Sequence, residues 1–282
     1  MKKVATLLIT FGLLAGCQSA PVHKELESPV PGAEGGPGKQ PAPVEEGVAP
    51  ATVTAPMPQT LTPSWQPIGF SVQARPILAA ERGQGPKRIL LVGGIHGDEI
   101  EGRSAVEAMI DRSAFPDATL RIIQDINPDG TQAHRRANAH GVDLNRNWPA
   151  ANFRGGTSGG AMALSEPETR VLADQIRVFT PDIVIVLHSA VSGPFVNFDG
   201  PASELAEAFV RNNPVWRVQS AMGYETPGSL GSYLGIDRGV PILTVEFKRG
   251  QDNSSAKADL GRGLKAVILA VRVDSGAKDR TQ

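Results

Sequence analysis

The sequence predicts a single α/β domain in which a mostly parallel mixed sheet is covered by helices on both faces. Three apolar runs have the continuous character of buried strands, and they span Arg88–His96, Asp182–His188 and Pro241–Phe247. Segments with helical periodicity separate these runs. Strands that alternate with helices favour a parallel sheet. Each crossover helix returns the chain to the end of the sheet at which the previous strand began, so the next strand runs in the same direction.

The N-terminus predicts export and a lipid anchor. A cationic start at Met1–Lys3 precedes the apolar run Val4–Leu14, and small residues then lead to Cys17, the only cysteine of the 282 residues. This pattern is typical of a bacterial lipoprotein signal peptide over residues 1–17, with Cys17 as the lipidated residue. An ordinary secretory signal with an incidental cysteine is the alternative. Both interpretations place the protein outside the cytoplasm, and a net charge of −1 gives no reason to expect nucleic-acid binding.

Residues 18–63 predict a disordered tether. They are rich in Pro, Gly, Ala, Glu and Val and contain no aromatic residue, so they cannot form a core of their own. A simple spacer that clears the lipid surface is equally consistent with this composition. Gln18 and Ser19 follow Cys17 without the aspartate that usually retains lipoproteins at the inner membrane. We therefore expect an outer-membrane anchor that faces the periplasm, and a folded domain over residues 64–282.

The remaining elements of the domain follow from local patterns. A further strand, Leu120–Ile126, ends at Asn127-Pro128-Asp129-Gly130, a strong turn motif. A long Gly- and Asn-rich loop then covers residues 131–163. Loops of that length in a compact domain are usually functional or disordered. An edge strand is also expected at Phe70–Ala79. The expected helices are Glu99–Ser113, a helix capped by Ser165 that runs to Phe179, Ala202–Asn212, a short Ser229–Asp237 and Ala256–Val273.

A metal site is predicted where the first buried strand ends. His96 and Glu99 lie in the segment Gly93-Gly94-Ile95-His96-Gly97-Asp98-Glu99, whose glycines allow a sharp turn. A lone His-x-x-Glu pair is common by chance. His188, however, ends a second strand of the same type and should lie at the same edge of the sheet. Two histidines and one glutamate are a usual ligand set of catalytic zinc, which keeps a fourth position open. The sequence therefore predicts one zinc ion per chain.

Several motifs in a fixed order give the sequence a family resemblance. The sequence resembles the zinc carboxypeptidase family (carboxypeptidase A-like), and most closely its bacterial murein peptide amidase branch. The motifs that carry the resemblance cover nearly the whole domain. They are Gly93–Glu99, Asn127–Gly130, Gly141-Val142-Asp143-Leu144-Asn145-Arg146-Asn147, Ser165-Glu166-Pro167-Glu168-Thr169, Leu187-His188-Ser189 and Thr244-Val245-Glu246.

The resemblance implies a role for each site residue. It makes His96, Glu99 and His188 the zinc ligands and Glu246 the general base. A carboxylate inside an apolar strand is costly to bury unpaired, so Glu246 is expected to lie at a site or in an ion pair. The implied roles of the remaining residues concern the substrate and the support of the ligands. Arg136 would polarise the scissile carbonyl, Asn145 and Arg146 would hold a substrate carboxylate, Asp143 would accept a hydrogen bond from a ligand histidine, and Tyr224 would lie over the substrate.

Each assignment has an alternative in the sequence. Arg135 is an alternative to Arg136, and Glu246 could instead form a structural ion pair with Lys248 or Arg249. The segment Asn145-Arg146 could be a structural turn, and Tyr224 an ordinary core or rim residue.

The sequence thus predicts a zinc-dependent metallopeptidase that hydrolyses an amide bond near a free carboxylate. Its expected substrate is a cell-wall peptide, cleaved between γ-D-glutamate and a diamino acid such as meso-diaminopimelate. One alternative with the same chemistry is a deacylase similar to the succinylglutamate desuccinylases and aspartoacylases. Another is a non-catalytic binding lipoprotein. A serine hydrolase is disfavoured, because the sequence has no Gly-x-Ser-x-Gly elbow.

Overall fold

The computed structural model describes residues 64–110 and 115–272. The predicted signal peptide, Cys17 and the predicted tether lie outside the described residues, so these domain boundaries stay predictions. Within the described part of the chain, no helix is both long enough and apolar enough to cross a membrane.

The described residues form one mixed sheet of eight strands in the order β1-β2-β4-β3-β5-β8-β6-β7. The four central strands β4, β3, β5 and β8 are parallel to one another. Antiparallel pairing joins β1 to β2, β2 to β4 and β8 to β6. In chain order the strands are β1 (Gln66–Phe70), β2 (Pro76–Arg82), β3 (Lys87–Val92), β4 (Ala118–Ile123), β5 (Ile183–Ala190), β6 (Phe195–Asp199), β7 (Arg217–Val218) and β8 (Ile242–Lys248).

Helices cover both faces of this sheet, as predicted. One core lies between the sheet and helices α1, α4 and α5, and the other lies under α3 and a π-helical segment. In β3, Ile89 and Leu91 belong to the first core, whereas Leu90 and Val92 belong to the second. Burial on both faces explains why the strand is apolar throughout. The helices are α1 (Ile100–Glu107), α2 (Pro128–Gln132), α3 (Pro167–Phe179), α4 (Ser203–Arg211), the π-helical segment (Gly231–Ile236) and α5 (Asn253–Ala270).

Two local expectations were wrong, and two strands were missed. The edge strand expected at Phe70–Ala79 is two antiparallel strands, because the chain turns between Phe70 and Pro76. Ser71 Oγ in this turn donates a hydrogen bond to Asp129 Oδ1 at 2.8 Å, which stabilises the turn. Ser165 does not cap α3, since Glu166 is the residue that precedes the helix. Strands β6 and β7 were not predicted.

Candidate metal centre

The turn after β3 is shaped by glycine. Strand β3 ends at Val92, and residues 93–99 connect it to α1. Gly94 has a φ of +68°, a conformation that other residues adopt at a cost. A Cβ atom on Gly97 would lie 2.0 Å from the carbonyl carbon of Gly130. Only glycine therefore lets this turn pack closely against α2 and carry His96 and Glu99 to the end of the sheet.

His96, Glu99 and His188 meet at one buried point, where a ligand atom of each lies within 4.8 Å of the others. The Nδ1 atoms of the two histidines are 2.9 Å apart. The Glu99 carboxylate reaches both rings, with 3.0 Å from Oε1 to His96 Nδ1 and 2.8 Å from Oε2 to His188 Nδ1. All three residues are at most 5% exposed. Two imidazole nitrogens and a carboxylate so close together are a donor set that fits zinc.

Asp143 orients the His96 ring so that its Nδ1 atom can bind a metal. The Nε2 atom of His96 lies 3.1 Å from Asp143 Oδ1, so a proton on Nε2 leaves the Nδ1 lone pair free for a metal. Burial alone would raise the pKa of Asp143. The hydrogen bond from His96 and the charge of Arg136 instead hold that pKa well below its ordinary value. Asp143 is therefore an ionised acceptor.

Glu246 lies beside the three donors on the neighbouring strand. In the register of β5 and β8 it pairs with His188, and it is 7% exposed. Burial raises the pKa of Glu246, although the adjacent His188 opposes that rise. The structural ion pair considered from sequence is not formed, because Lys248 Nζ donates to the carbonyl of Val191 and Arg249 approaches Asp98 and Glu99.

Arg136 is the arginine that reaches the site. Its Nε donates to Asp143 Oδ2 at 2.9 Å, and its Nη1 donates to Glu99 Oε1 at 3.3 Å. Its side chain is 46% exposed and lines the same cavity as Glu246, whereas Arg135 is not part of that lining. Of the two candidates, Arg136 therefore has the position that the predicted role requires.

A cavity of about 540 Å³ opens in front of these residues. Asn145, Arg146 and Tyr224 belong to its lining. The Asn145 backbone N–H donates to Asp143 Oδ1 at 2.9 Å, and its side-chain oxygen accepts from Leu230 N at 3.0 Å. Arg146 Nη1 donates to the carbonyl of Asn145 at 2.7 Å. Tyr224 is 61% exposed at the rim.

Comparison with known proteins decides the family. The family model for zinc carboxypeptidases matches residues 61–199. Murein peptide amidase A of Escherichia coli (strain K12) is 33% identical over 221 aligned positions, and the alignment covers 70% of this chain and 87% of that protein. This chain belongs to the zinc carboxypeptidase family. It is accordingly a metallopeptidase, and the expected class of hydrolase is confirmed.

Other members of the zinc carboxypeptidase family agree with this assignment. Murein peptide amidase A of Vibrio campbellii is 31% identical over 228 aligned positions, and the alignment covers 73% of this chain and 86% of the relative. The crystal structure of murein-tripeptide amidase from Escherichia coli O157 superposes with a TM-score of 0.60 at 29% identity, over 75% of this chain and 93% of that one. Carboxypeptidase A from Helicoverpa armigera, at 18% identity and a TM-score of 0.62 over 74% of this chain and 68% of that one, shares the fold.

Sequence reasoning missed the far side of this carboxypeptidase cavity. Asn197 and Asp199 line it, and both lie on β6, which was not predicted. The alternation in Val196-Asn197-Phe198-Asp199 is the pattern that could have revealed it. Arg249 was considered only as a partner of Glu246, yet it also lines the cavity.

Proposed function

We propose that this chain is a zinc-dependent amidase that hydrolyses the bond between γ-D-glutamate and a diamino acid such as meso-diaminopimelate in murein peptides. The observation that carries the proposal is the convergence of His96, Glu99 and His188 beside Glu246 in one cavity. The substrate class rests on the names of the relatives, several of which are murein peptide amidases.

His96, Glu99 and His188 would hold one zinc ion per chain. When bound, zinc supplies Lewis acidity, which polarises a carbonyl group and acidifies water. Glu246 would then accept a proton from the attacking water and return it to the nitrogen of the leaving amine. Its position on β8 suits this role, because the strand places its carboxylate beside His188 and in contact with the cavity.

Two arginines would each bind one negative charge of the reacting substrate. Arg136 would stabilise the oxyanion that develops on the scissile carbonyl, and its hydrogen bond to Asp143 holds it in place. Arg146 would bind the free carboxylate of the leaving amino acid through its two-pronged guanidinium, with Asn145 as a further donor. Tyr224 would close over the substrate from the rim.

Hydrolysis of three substrate classes tests this proposal. The full-length protein is loaded with zinc and incubated with murein tripeptide, an ordinary peptide and an N-acylated amino acid, and free amines are quantified. We expect diaminopimelate to be released from the tripeptide at the highest kcat/KM. Cleavage of ordinary peptides with an intact tripeptide would contradict the substrate and leave the metallopeptidase assignment in place.

A second candidate is the removal of an acyl group from a small amino acid. It is favoured by a partial relative, N-alpha-acetyl-L-2,4-diaminobutyric acid deacetylase of Halomonas elongata. That protein is 34% identical over 120 aligned positions, and the alignment covers 40% of this chain and 31% of the deacetylase. The shorter match makes it the weaker candidate. Preferential hydrolysis of the acylated amino acid in the experiment above would select it.

We also propose that Cys17 anchors the protein by lipid in a bacterial envelope, with residues 18–63 as the tether. The support is the lipoprotein pattern before Cys17. Labelling with radioactive palmitate should mark the wild type and not Cys17→Ser, and a density gradient should place the labelled protein in the outer membrane. Label on the Cys17→Ser variant would contradict the anchor, and label in the inner-membrane fraction would contradict the location.

A further inference from the structure

The cavity contains a third arginine that the proposed chemistry does not use. Arg136, Arg146 and Arg249 all line it, and only the first two have roles in the reaction. The Arg249 side chain is 39% exposed, and its Nη1 lies 3.4 Å from both the carbonyl oxygen and Oδ2 of Asp98. An ion pair this long and this exposed contributes little to stability. The pair with Asp98 therefore does not explain why an arginine lies here.

One edge of the Arg249 guanidinium is open to a ligand. Among the residues that the structure describes, Nε and Nη2 have no hydrogen-bond acceptor, since the nearest ion-pair partner of Nη2 is Glu99 Oε1 at 3.6 Å. Arg136, by contrast, already donates through Nε and Nη1 to Asp143 and Glu99. The open Nε and Nη2 of Arg249 point to the same side, which is the arrangement that binds a carboxylate through two parallel hydrogen bonds.

The backbone holds Arg249 in a fixed turn after β8. Its own N–H donates to the carbonyl of Ala190 at 3.0 Å. The N–H of Gly250 donates to Glu101 Oε1 at 2.6 Å, and Glu101 is a buried residue in the first turn of α1. This anchoring limits the entropy that the turn would lose when a ligand binds the arginine.

Arg249 and Arg146 lie on opposite sides of Glu246. Arg249 follows Glu246 by three residues, which is about 10 Å along an extended chain. Arg146 lies against Gly228, because a Cβ atom on that glycine would be 2.4 Å from the Arg146 carbonyl oxygen. Gly228 comes just before the π-helical segment, which leads into the beginning of β8. With the leaving amino acid at Arg146, the acyl half of the substrate extends toward Arg249.

We propose that Arg249 binds the free α-carboxylate of the γ-D-glutamyl residue and thereby selects γ-glutamyl substrates. The proposal rests on the proposed function, because it concerns the same substrate in the same cavity. A γ-linked glutamate uses its side-chain carboxyl group in the scissile amide, so its α-carboxylate remains free on the acyl side. An ordinary peptide with a neutral side chain has no anion at that position.

The length of the γ-glutamyl group agrees with this placement. Four bonds separate the scissile carbonyl carbon from the carbon of the α-carboxylate, and an extended chain of such bonds of ~1.5 Å spans about 5 Å. A charged hydrogen bond adds about 2.8 Å. Arg249 is near enough for this reach, because its Nη2 and Arg136 Nη1 approach the same oxygen, Glu99 Oε1, at 3.6 Å and 3.3 Å.

The experiment compares two tripeptides that differ only in the charge at this position. One is the murein tripeptide with D-glutamate, and the other has D-isoglutamine, whose α-carboxamide has nearly the same shape and no charge. The ratio of the two kcat/KM values is measured for the full-length wild type, Arg249→Gln and Arg135→Gln. Arg135 is the matched control, because it is an exposed arginine next to Arg136 and is not part of the cavity lining.

We expect the wild type and Arg135→Gln to prefer the carboxylate substrate by roughly 10-fold, the value of a charged hydrogen bond at a partly exposed site. Arg249→Gln should reduce this ratio to within about twofold through a higher KM for the carboxylate substrate, because the cation is lost. If Arg249→Gln does not fold, as judged by thermal unfolding, Arg249→Met replaces it, since methionine keeps part of the aliphatic stem.

The outcomes separate this inference from the proposed function. A wild type that cleaves both tripeptides with equal kcat/KM would overturn the inference alone. The wild-type ratio in Arg249→Gln, or in its replacement Arg249→Met, would do the same, as would an equal loss of preference in Arg135→Gln. A zinc-loaded wild type that cleaves neither tripeptide would overturn the proposed function and this inference with it.

Discussion

Asp143 accepts a hydrogen bond from the outer nitrogen of His96, with 3.1 Å between Oδ1 and Nε2, while the inner Nδ1 lies 3.0 Å from Glu99. The same carboxylate receives Arg136 Nε at 2.9 Å through its other oxygen. One residue thus fixes the ring of a zinc-binding candidate and the guanidinium expected to contact the scissile carbonyl.

Replacement of Asp143 should therefore weaken zinc binding more than it affects folding. Asp143→Ala removes the acceptor that orients His96, and such changes lower metal affinity by roughly 10- to 100-fold. Competition with a chelator measures the affinity directly. Asp98→Asn is the matched control, because this neighbouring carboxylate pairs with Arg249. Equal zinc affinity in wild type and Asp143→Ala would contradict the assigned role.

Replacement of Arg146 should affect only substrates with a free carboxylate. Arg146→Lys keeps the charge but loses the two-pronged geometry, so KM should rise by roughly 10- to 100-fold, the value of a charged hydrogen bond. The measurement is steady-state kinetics on a peptide with a free terminal carboxylate and on its amide. An equal change for both substrates would show that Arg146 is structural.

Asn147 should be a stability determinant of the long loop. The residue is fully buried, and its Nδ2 donates to the carbonyls of Gly159 at 2.7 Å and Met162 at 2.9 Å. Its Oδ1 accepts from Glu166 N and from Thr169 Oγ1. Asn147→Ala leaves several of these groups unsatisfied, so the free energy of unfolding should fall by roughly 3 kcal/mol in urea denaturation.

The control for this prediction is Asn212→Ala, an exposed asparagine at the end of α4, which should change the free energy of unfolding by less than about 0.5 kcal/mol. Similar losses in both variants would mean that the hydrogen bonds of Asn147 do not stabilise the loop.

Asp199 should lower the stability of the substrate-free protein as the pH rises. Burial raises its pKa in the folded state, so the folded protein binds more protons than the unfolded chain at pH values from about 3.9 upward, until the folded-state pKa is passed. The free energy of unfolding of the wild type therefore falls as the pH rises across that window. Asp199→Asn lacks this contribution, because asparagine does not titrate. In urea denaturation, the free energy of unfolding of Asp199→Asn relative to that of the wild type should increase between pH 4 and 7. A difference that does not change with pH would contradict this prediction.

Much of the candidate metal centre could be predicted from sequence, because its residues lie in continuous apolar strands or directly after one. The strands around His96, His188 and Glu246 are buried on both faces, so their composition identifies them without any knowledge of their partners. The turn between β3 and α1 was likewise visible in its glycines. The parallel order of the central strands followed from the alternation with helices.

The far side of the cavity could not be predicted in the same way. Strand β6 is five residues long and alternates polar and apolar residues, so its pattern competes with that of an ordinary loop. Asp199 comes near Gly231 only because β6 packs against the π-helical segment. That contact depends on tertiary packing and leaves no local trace.

Diaminopimelate release from murein tripeptide, measured together with zinc content for wild type and Glu246→Gln, tests the proposed zinc-dependent amidase activity most directly. Both proteins should hold one zinc ion per chain, because Glu246 is not among the three donors. Only the wild type should release diaminopimelate at an appreciable rate, since loss of a general base costs roughly 10²- to 10⁴-fold. Release by Glu246→Gln at the wild-type rate, or a wild type without zinc, would contradict the account.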